Sequence, residues 1–130
     1  MTTLRDIMTA DVFVTNPDAT MSEVAAAMLR ERIGSAVVST GSIVLGILTE
    51  RDLLRAAAAG ADVTSSRVSE WMTPDPITIE PNADADEAIE MMMSHGFRHL
   101  PVLTDGKLAG IVSLRDLVRT QIRRANTRRP

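Results

Sequence analysis

Apolar residues recur at helical spacing in two segments of the chain, and each segment opens with a capping pattern. Thr20 precedes Glu23 by three positions, as Asp84 precedes Glu87, which is typical of helix N-termini. The first apolar stripe consists of Met21, Val24, Ala25, Met28 and Leu29. The second consists of Ala85, Ala88, Ile89, Met92 and Met93. We therefore predict an amphipathic helix in each segment.

Short runs of β-branched and aliphatic residues flank both predicted helices. The predicted strands are 12–15, 36–39, 43–48, 77–79, 100–103 and 108–112. Thr40-Gly41-Ser42 and Asp105-Gly106 predict hairpin turns. Two further helices are expected, one over about 50–59 with Gly60 as its C-terminal cap and one from about residue 114. With short helical turns at 4–8 and 68–72, each half of the chain has the order β-α-β-β-α.

The two halves repeat one another without a gap, 64 residues apart. Gly46-Ile47-Leu48-Thr49-Glu50-Arg51-Asp52 returns as Gly110-Ile111-Val112-Ser113-Leu114-Arg115-Asp116. We predict a first repeat at about 4–60, a connector at 61–66, a second repeat at about 67–120 and a basic tail at 121–130. Because 130 residues suffice for one compact domain, we expect the repeats to share a core within a single module.

Composition and charge exclude several classes of protein. The chain has no cysteine, and hence no disulfide and no thiol nucleophile. Residues 117–130 carry five arginines and no acid, so a net charge of −3 leaves −8 on the remainder, which argues against nucleic-acid binding. We expect the basic end to be solvated and partly disordered. No apolar run approaches the roughly 20 residues of a membrane span, and no signal peptide is indicated, so we expect a cytoplasmic protein without membrane segments.

Familiar catalytic and metal-binding motifs are not found in the sequence. It has no Gly-x-Ser-x-Gly motif and no phosphate-binding glycine-rich loop, and its single lysine, Lys107, adjoins a predicted turn. The two histidines, His95 and His99, do not share a helical face, so no metal site is predicted. We therefore expect a protein that is not an enzyme. The methionines and Trp71 are interpreted as packing residues.

The repeated segment places a hydroxyl and a carboxylate where a strand meets a helix. Thr49 is predicted at the helix N-cap and Asp52 in the first turn, and Ser113 and Asp116 occupy the equivalent positions. Free backbone N–H groups and the helix dipole favour a phosphate there. A carboxylate in the same turn can accept both vicinal hydroxyls of a ribose. These features predict a ribonucleotide site in each repeat.

The glycine ahead of each hydroxyl, Gly46 or Gly110, lacks a side chain, and we expect it to let a flat group approach the strand. The same hydroxyl-x-x-Asp spacing also caps a helix, which is worth about 1 kcal/mol without any ligand. The spacing alone leaves both interpretations open.

The tandem β-α-β-β-α unit that closes on Gly-hydrophobic-x-Thr/Ser-x-x-Asp resembles the cystathionine-β-synthase (CBS) motif pair. The resemblance spans about residues 4–120 and includes Met8-Thr9, Met72-Thr73 and Phe97-Arg98-His99-Leu100-Pro101-Val102. It implies an α/β fold of two repeats related by pseudo-twofold symmetry, with two small sheets flanked by helices and clefts between the repeats. It also implies a homodimer formed through helices. The implied ligand contains adenosine: AMP, ADP, ATP, NAD or S-adenosylmethionine.

The resemblance also assigns roles to residues of both repeats. The ribose would be held by Asp52 and Asp116, with the phosphate and ribose flanked by Thr49 and Ser113. Backbone groups would contact the base around Val14, Thr15, Thr78 and Ile79. Cations that face phosphate would be Arg98, His99, Arg51 and Arg115, although the last two are equally suited to a salt bridge across the dimer. Since Gly34-Ser35 stands in the first repeat where the second has Arg98-His99, we expect the second repeat to favour a more anionic ligand.

The function implied is that of a regulatory module that senses an adenine nucleotide and modulates a protein partner, for which a separately encoded enzyme is one possibility. The alternative is a ligand-independent dimeric interaction or scaffold protein in which the hydroxyl-x-x-Asp segments only cap helices.

Overall fold

The computed structural model describes residues 2–127, which fall into two compact units. The first unit comprises residues 12–76, and the second comprises residues 2–11 together with 77–127. Both units mix helices with a small sheet, as predicted. The elements in chain order are α1 (Leu4–Ile7), β1 (Val14–Thr15), α2 (Met21–Glu31), β2 (Ser35–Thr40), β3 (Ile43–Thr49), α3 (Glu50–Ala58), α4 (Val68–Trp71), β4 (Thr73–Pro74), α5 (Ala85–His95), β5 (His99–Thr104), β6 (Lys107–Ser113) and α6 (Leu114–Thr127).

The sheet of the first unit has the strand order β1-β2-β3-β4. β1 runs parallel to β2, whereas β2, β3 and β4 are antiparallel neighbours. The strand observed within 12–15 is shorter than the predicted one, because only Val14 and Thr15 pair with β2. In the second unit, β5 and β6 form the equivalent hairpin.

Single bridges take the places of β1 and β4 in the second unit. Ile79 bridges Val102 in parallel and Thr9 bridges Ile111 antiparallel, at the positions equivalent to the outer strand pairs of the first unit. The predicted strand over 77–79 is thus wrong. In the first unit the Val37 N–H donates to the carbonyl oxygen of Phe13, the residue immediately before β1, at 3.0 Å. The equivalent residue of the second unit is Pro101, which has no N–H to donate, so the ladder is reduced to one bridge.

The turn of the second hairpin confirms the Asp-Gly prediction. Thr104 pairs with Lys107, and Asp105 and Gly106 have φ values of 51° and 79°. Positive φ at both central residues is the type I′ turn, whose twist matches that of the flanking strands. In the helix that follows β3, Ala59 is the C-cap and Gly60 has φ of 73°, so the predicted stop at Gly60 is confirmed.

The short helix that leads each sequence repeat belongs to the compact unit formed mainly by the other repeat. In α1, the Leu4 N–H donates to the Ala83 carbonyl at 3.0 Å, within the second unit. In α4, the Val68 N–H donates to the Ala19 carbonyl at 2.8 Å, within the first unit. The compact units therefore do not coincide with the repeats at 4–60 and 67–120 seen in the sequence.

A cluster of buried apolar residues lies within each unit, and the expectation of one shared core stays a prediction. The cluster of the first unit comprises Met21, Val24, Met28, Ala36, Val38, Leu48, Ala56 and Val68. The cluster of the second comprises Leu4, Ile79, Ala85, Ala88, Met92, Leu100, Val102, Val112 and Leu117. Large and small side chains exchange places between them. Met21 and Ala36 of the first cluster correspond to Ala85 and Leu100 of the second, which conserves volume.

Two residues of the predicted apolar stripes are exposed. Leu29 is 82% exposed and Met93, its equivalent, is 71% exposed. The residues buried in α2 are Met21, Val24, Ala27 and Met28, and those buried in α5 are Ala85, Ala88 and Met92.

The C-terminal helix is longer than expected. α6 continues to Thr127, so residues 121–127 of the predicted basic tail are helical rather than disordered. The rest of that tail, residues 128–130, lies outside the described residues.

Candidate functional site

The two strand-to-helix junctions lie where the sequence predicts them. Thr49 ends β3 and is the N-cap of α3, and Ser113 ends β6 immediately before α6. Asp52 and Asp116 both occupy the first helical turn. Each junction therefore combines a hydroxyl, a carboxylate and the backbone N–H groups of a helix start, an arrangement suited to an anion.

In the first unit, the Asp52 carboxylate accepts hydrogen bonds from residues of its own chain. Its Oδ2 accepts the Thr49 N–H at 2.9 Å and the Thr49 hydroxyl at 3.3 Å, in a capping-box arrangement at the start of α3. Its Oδ1 accepts from Arg55 Nη1 at 2.9 Å. Asp52 is only 5% exposed. A buried carboxylate that accepts three hydrogen bonds, one of them from a cation, is satisfied without a ligand.

Arg55 is held from a second side. Its guanidinium carbon lies 5.6 Å from the centre of the Trp71 ring, within the range of a cation–π interaction. Trp71 is half-buried and packs against the apolar cluster of the first unit. The ring thus favours the rotamer of Arg55 that reaches Asp52.

In the second unit, Asp116 has a different environment. The Ser113 hydroxyl oxygen accepts from the backbone N–H of Asp116 at 3.2 Å, so the cap is formed without the carboxylate. The Asp116 residue is half-buried. Within residues 2–127, no hydrogen bond or ion pair reaches its carboxylate. Arg119, the equivalent of Arg55, is exposed and makes no ion pair with Asp116.

The loops before β2 and β5 bring different residues to the two junctions. In the second unit, Leu114 N–H donates to the Arg98 carbonyl at 2.8 Å, and His99 lies opposite Ser113 in the hairpin. Arg98 is exposed at this point. In the first unit the equivalent carbonyl belongs to Gly34. Glycine has no side chain, so the first unit lacks the positive charge that Arg98 supplies in the second. The second junction is accordingly the more positive of the two.

The remaining predicted cations are exposed beside the carboxylates. Arg51 and Arg115 lie in the first turns of α3 and α6. The ion pairs found within residues 2–127 join Arg55 with Asp52 and Arg67 with Asp18. Neither arginine next to a carboxylate is therefore engaged in an ion pair within the described part of the chain.

The residues predicted to meet the base lie in or next to the segments that pair with β2 in the first unit and with β5 in the second. Val14 and Thr15 pair with β2 and are exposed and half-buried respectively. Ile79 pairs with β5 and is 8% exposed, so its side chain belongs to the core. Thr78 is exposed and outside the ladder. Their ligand-binding role stays a prediction.

The expected role of the two junction glycines is wrong. A Cβ on Gly46 would lie 2.6 Å from Met72 Sδ and 2.7 Å from the Thr73 carbonyl oxygen. The same atoms of Met8 and Thr9 close over Gly110. The space above each glycine is filled by the chain itself. Each of the repeated Met-Thr pairs thus packs against one of the repeated glycines.

A groove of about 380 Å³ in the second unit is lined by Asp6, Ile7, Thr120, Arg123, Arg124 and Thr127, none of which was predicted to bind a ligand. Within 2–127, no group of three or more His, Asp or Glu side chains is arranged to hold a metal ion. In the same range, none of the helices combines the length and apolar character needed to cross a bilayer.

Arg55 is the site residue that sequence reasoning missed. Its signal is the spacing Asp52-x-x-Arg55, since residues three apart lie on one helical face. The same spacing recurs as Asp116-x-x-Arg119 without an ion pair, so spacing alone does not identify the contact.

Comparisons with known proteins show the family to which the chain belongs. Residues 4–59 and 68–123 each match the family described as CBS domain. A 17.7 kDa protein of Acidianus ambivalens is 40% identical over 120 residues, covering 91% of this chain and 72% of that protein. The CBS domain-containing protein YhcV of Bacillus subtilis is 34% identical over 123 residues, covering 94% and 87%. A protein with CBS domains from Burkholderia ambifaria has a similar structure, with a TM-score of 0.90, 32% identity and coverage of 94% and 95%. The chain therefore belongs to the CBS-domain family and carries two CBS domains in tandem.

Proposed function

We propose that this protein is a regulatory module that binds an adenosine-containing ligand beside Asp116 and thereby modulates a partner protein. Candidate ligands are AMP, ADP, ATP, NAD and S-adenosylmethionine. The proposed role is regulation rather than catalysis, and the three relatives described above do not bear the names of enzymes.

The observation that carries the proposal is the unoccupied hydrogen-bonding capacity of the Asp116 carboxylate. Ser113 already caps α6 through the backbone of residue 116, so the carboxylate is not needed for the cap. Within residues 2–127 it accepts no hydrogen bond, although it is half-buried. Two carboxylate oxygens at a helix start can accept the two hydroxyls of a ribose, while the N–H groups and Arg98 attract the phosphate.

A structural neighbour supports the class of ligand. The CBS domain pair of protein MJ0100 was crystallised in complex with 5′-methylthioadenosine and S-adenosyl-L-methionine. It shares the fold at a TM-score of 0.85 and covers 92% of this chain, with 22% identity. This fold therefore accommodates adenosine ligands in another protein, which makes adenosine the first chemical class to test here.

The proposed working form is a homodimer assembled through helices. Exposed large apolar residues occur at equivalent helical positions of the two units: Leu29 with Met93, and Leu54 at 70% exposure with Val118 at 43%. These four residues are the positions that we propose a second copy covers. A neighbour from bloom-forming cyanobacteria, which contains a CBS domain and is 25% identical, forms a hexamer.

A second candidate function is a ligand-independent interaction or scaffold protein. The specific observation in its favour is the capping box of Asp52, which shows that the repeated motif stabilises a helix without any ligand in the first unit. The two functions differ in what Asp116 does.

A ligand panel tests the proposal. Thermal unfolding is followed with AMP, ADP, ATP, NAD and S-adenosylmethionine, since a ligand at 100 times its dissociation constant stabilises the native state by about 2.7 kcal/mol. Asp116→Asn keeps the side-chain size and the Ser113 cap and is expected to abolish the rise in melting temperature.

Three outcomes separate the candidates. A rise that Asp116→Asn removes supports nucleotide sensing beside Asp116. A rise that survives in Asp116→Asn contradicts the assignment of the site. No rise with any of the five compounds, in a chain that folds, favours the scaffold function.

A further inference from the structure

Donors of the same chain use three of the roughly four acceptor positions of the Asp52 carboxylate. Oδ2 receives both the N–H and the hydroxyl of Thr49, and Oδ1 receives Arg55 Nη1. A ribose that used both oxygens would have to displace Thr49 from Oδ2 and share Oδ1 with the charged Arg55 donor at 2.9 Å. The Asp52 side chain is 7% exposed, so the approach is also restricted.

Arg55 is stabilised in this position by contacts on two sides. The guanidinium is bonded to Asp52 and lies 5.6 Å from the centre of the Trp71 ring. Moving it away would remove the charge-assisted hydrogen bond to Asp52 and the contact with the Trp71 ring. In the ligand-free chain, Arg55 is therefore paired with Asp52, and the first junction is called closed in this arrangement.

The second junction lacks each part of this arrangement. Arg119 makes no ion pair with Asp116, and the position of Trp71 is taken by Ile7, which cannot make a cation–π contact. Arg98 adds a positive charge where the first unit has Gly34. The junction with the free carboxylate is thus also the one with the cation that an anionic ligand requires.

We infer that Arg55 is a specificity-determining residue that closes the first junction, so that each chain binds one adenosine ligand, at Asp116, despite having two copies of the motif. The inference rests on the proposed function for the identity of the ligand. It goes beyond it by assigning a role to Arg55 and a stoichiometry to the chain.

Calorimetric titration with AMP, and separately with ATP, measures the number of ligands per chain. The wild-type chain is expected to bind one. Arg55→Met keeps an unbranched side chain beside Trp71 but removes the guanidinium and frees Asp52 Oδ1. The Thr49 hydroxyl, at 3.3 Å from Oδ2, is then the weaker donor that a ribose has to displace, so this variant is expected to bind two. Arg119→Met is the matched control at the equivalent position and is expected to bind one.

The fluorescence of Trp71, the single tryptophan of the chain, gives a second readout. Because Trp71 lies beside Arg55, binding at Asp52 is expected to change its emission in Arg55→Met and not in the wild-type chain. Should Arg55→Met fail to fold by circular dichroism, Arg55→Gln replaces it. Its neutral amide binds Asp52 less strongly than a guanidinium, and the expected stoichiometry is again two.

The outcomes separate this inference from the proposed function. One ligand in the wild type and two in the Arg55 variant support both. One ligand in each, or two in the wild type, overturns the role of Arg55 while nucleotide binding stands. No ligand in the wild type but one in the Arg55 variant supports the closure and contradicts binding at Asp116. No ligand in either chain overturns both.

Discussion

Asp52 and Asp116 occupy equivalent positions in the two units, and replacing each with alanine separates the capping role from the ligand-binding role. Asp52→Ala removes the acceptor of the Thr49 N–H and of Arg55 Nη1. Asp116→Ala removes no hydrogen bond found within residues 2–127, because the Ser113 hydroxyl accepts from the backbone N–H of residue 116, which alanine retains.

The magnitudes follow from these contacts. Loss of a capping side chain costs about 0.5–2 kcal/mol, and an unsatisfied donor in a poorly solvated position costs about 1–3 kcal/mol. The ion pair adds at most about 1 kcal/mol, since the Arg55 side chain is 57% exposed. The contributions overlap, so we expect Asp52→Ala to lower the free energy of unfolding by about 1–3 kcal/mol. Asp116→Ala is expected to change it by less than about 0.5 kcal/mol.

Urea denaturation followed by far-UV circular dichroism, at one protein concentration, measures both free energies of unfolding. The same variants are then melted with the best ligand of the panel. Asp52→Ala is expected to keep the ligand-induced rise in melting temperature, and Asp116→Ala to lose it. Equal destabilisation by the two substitutions would refute the reasoning. So would a ligand response that depends on Asp52 and not on Asp116.

Three further predictions follow from the packing, the exposed surface and one titrating group. Gly46→Ala places a Cβ 2.7 Å from a backbone oxygen that cannot move aside, so thermal unfolding is expected to show a loss of about 1–3 kcal/mol. Leu54→Glu is expected to shift the homodimer toward monomer in sedimentation velocity, whereas Ile43→Glu, at a position 63% exposed on a hairpin, is not. Hydrogen bonds from the Thr64 side chain and backbone lower the pKa of Asp62 below its ordinary value of 3.8. Because that pKa is lower in the folded state, the associated stabilisation is present above 3.8 and is lost as the pH falls through the folded pKa. Thr64→Ala is expected to raise the pKa measured by carboxyl NMR titration.

The elements of the fold were largely predictable because they depend on local sequence. Helical spacing located α2 and α5, the Asp105-Gly106 turn located the second hairpin, and the segment ending at Thr49 located a helix N-cap. Errors arose where a neighbour in space decides the outcome. The predicted strand at 77–79 became one bridge because its partner strand carries Pro101.

The residue types of the site were predictable, but the hydrogen bonding of its two carboxylates was not. The repeat predicted that Thr49 and Ser113 lie at helix starts, each with a carboxylate in the first turn. It treated the two carboxylates as equivalent. Only the structure distinguishes them, because the difference depends on Arg55 adopting a rotamer beside Trp71.

The amino-acid sequence by itself determined that one supersecondary unit occurs twice, because its turns, caps and apolar periodicity depend on residues close together in the chain. Only the tertiary structure decided which segments pack together. Leu4 joins a cluster whose other members begin at Ile79, and Met8 covers Gly110. Such contacts depend on complementary shape between distant segments, and that complementarity leaves no periodic signal in the sequence.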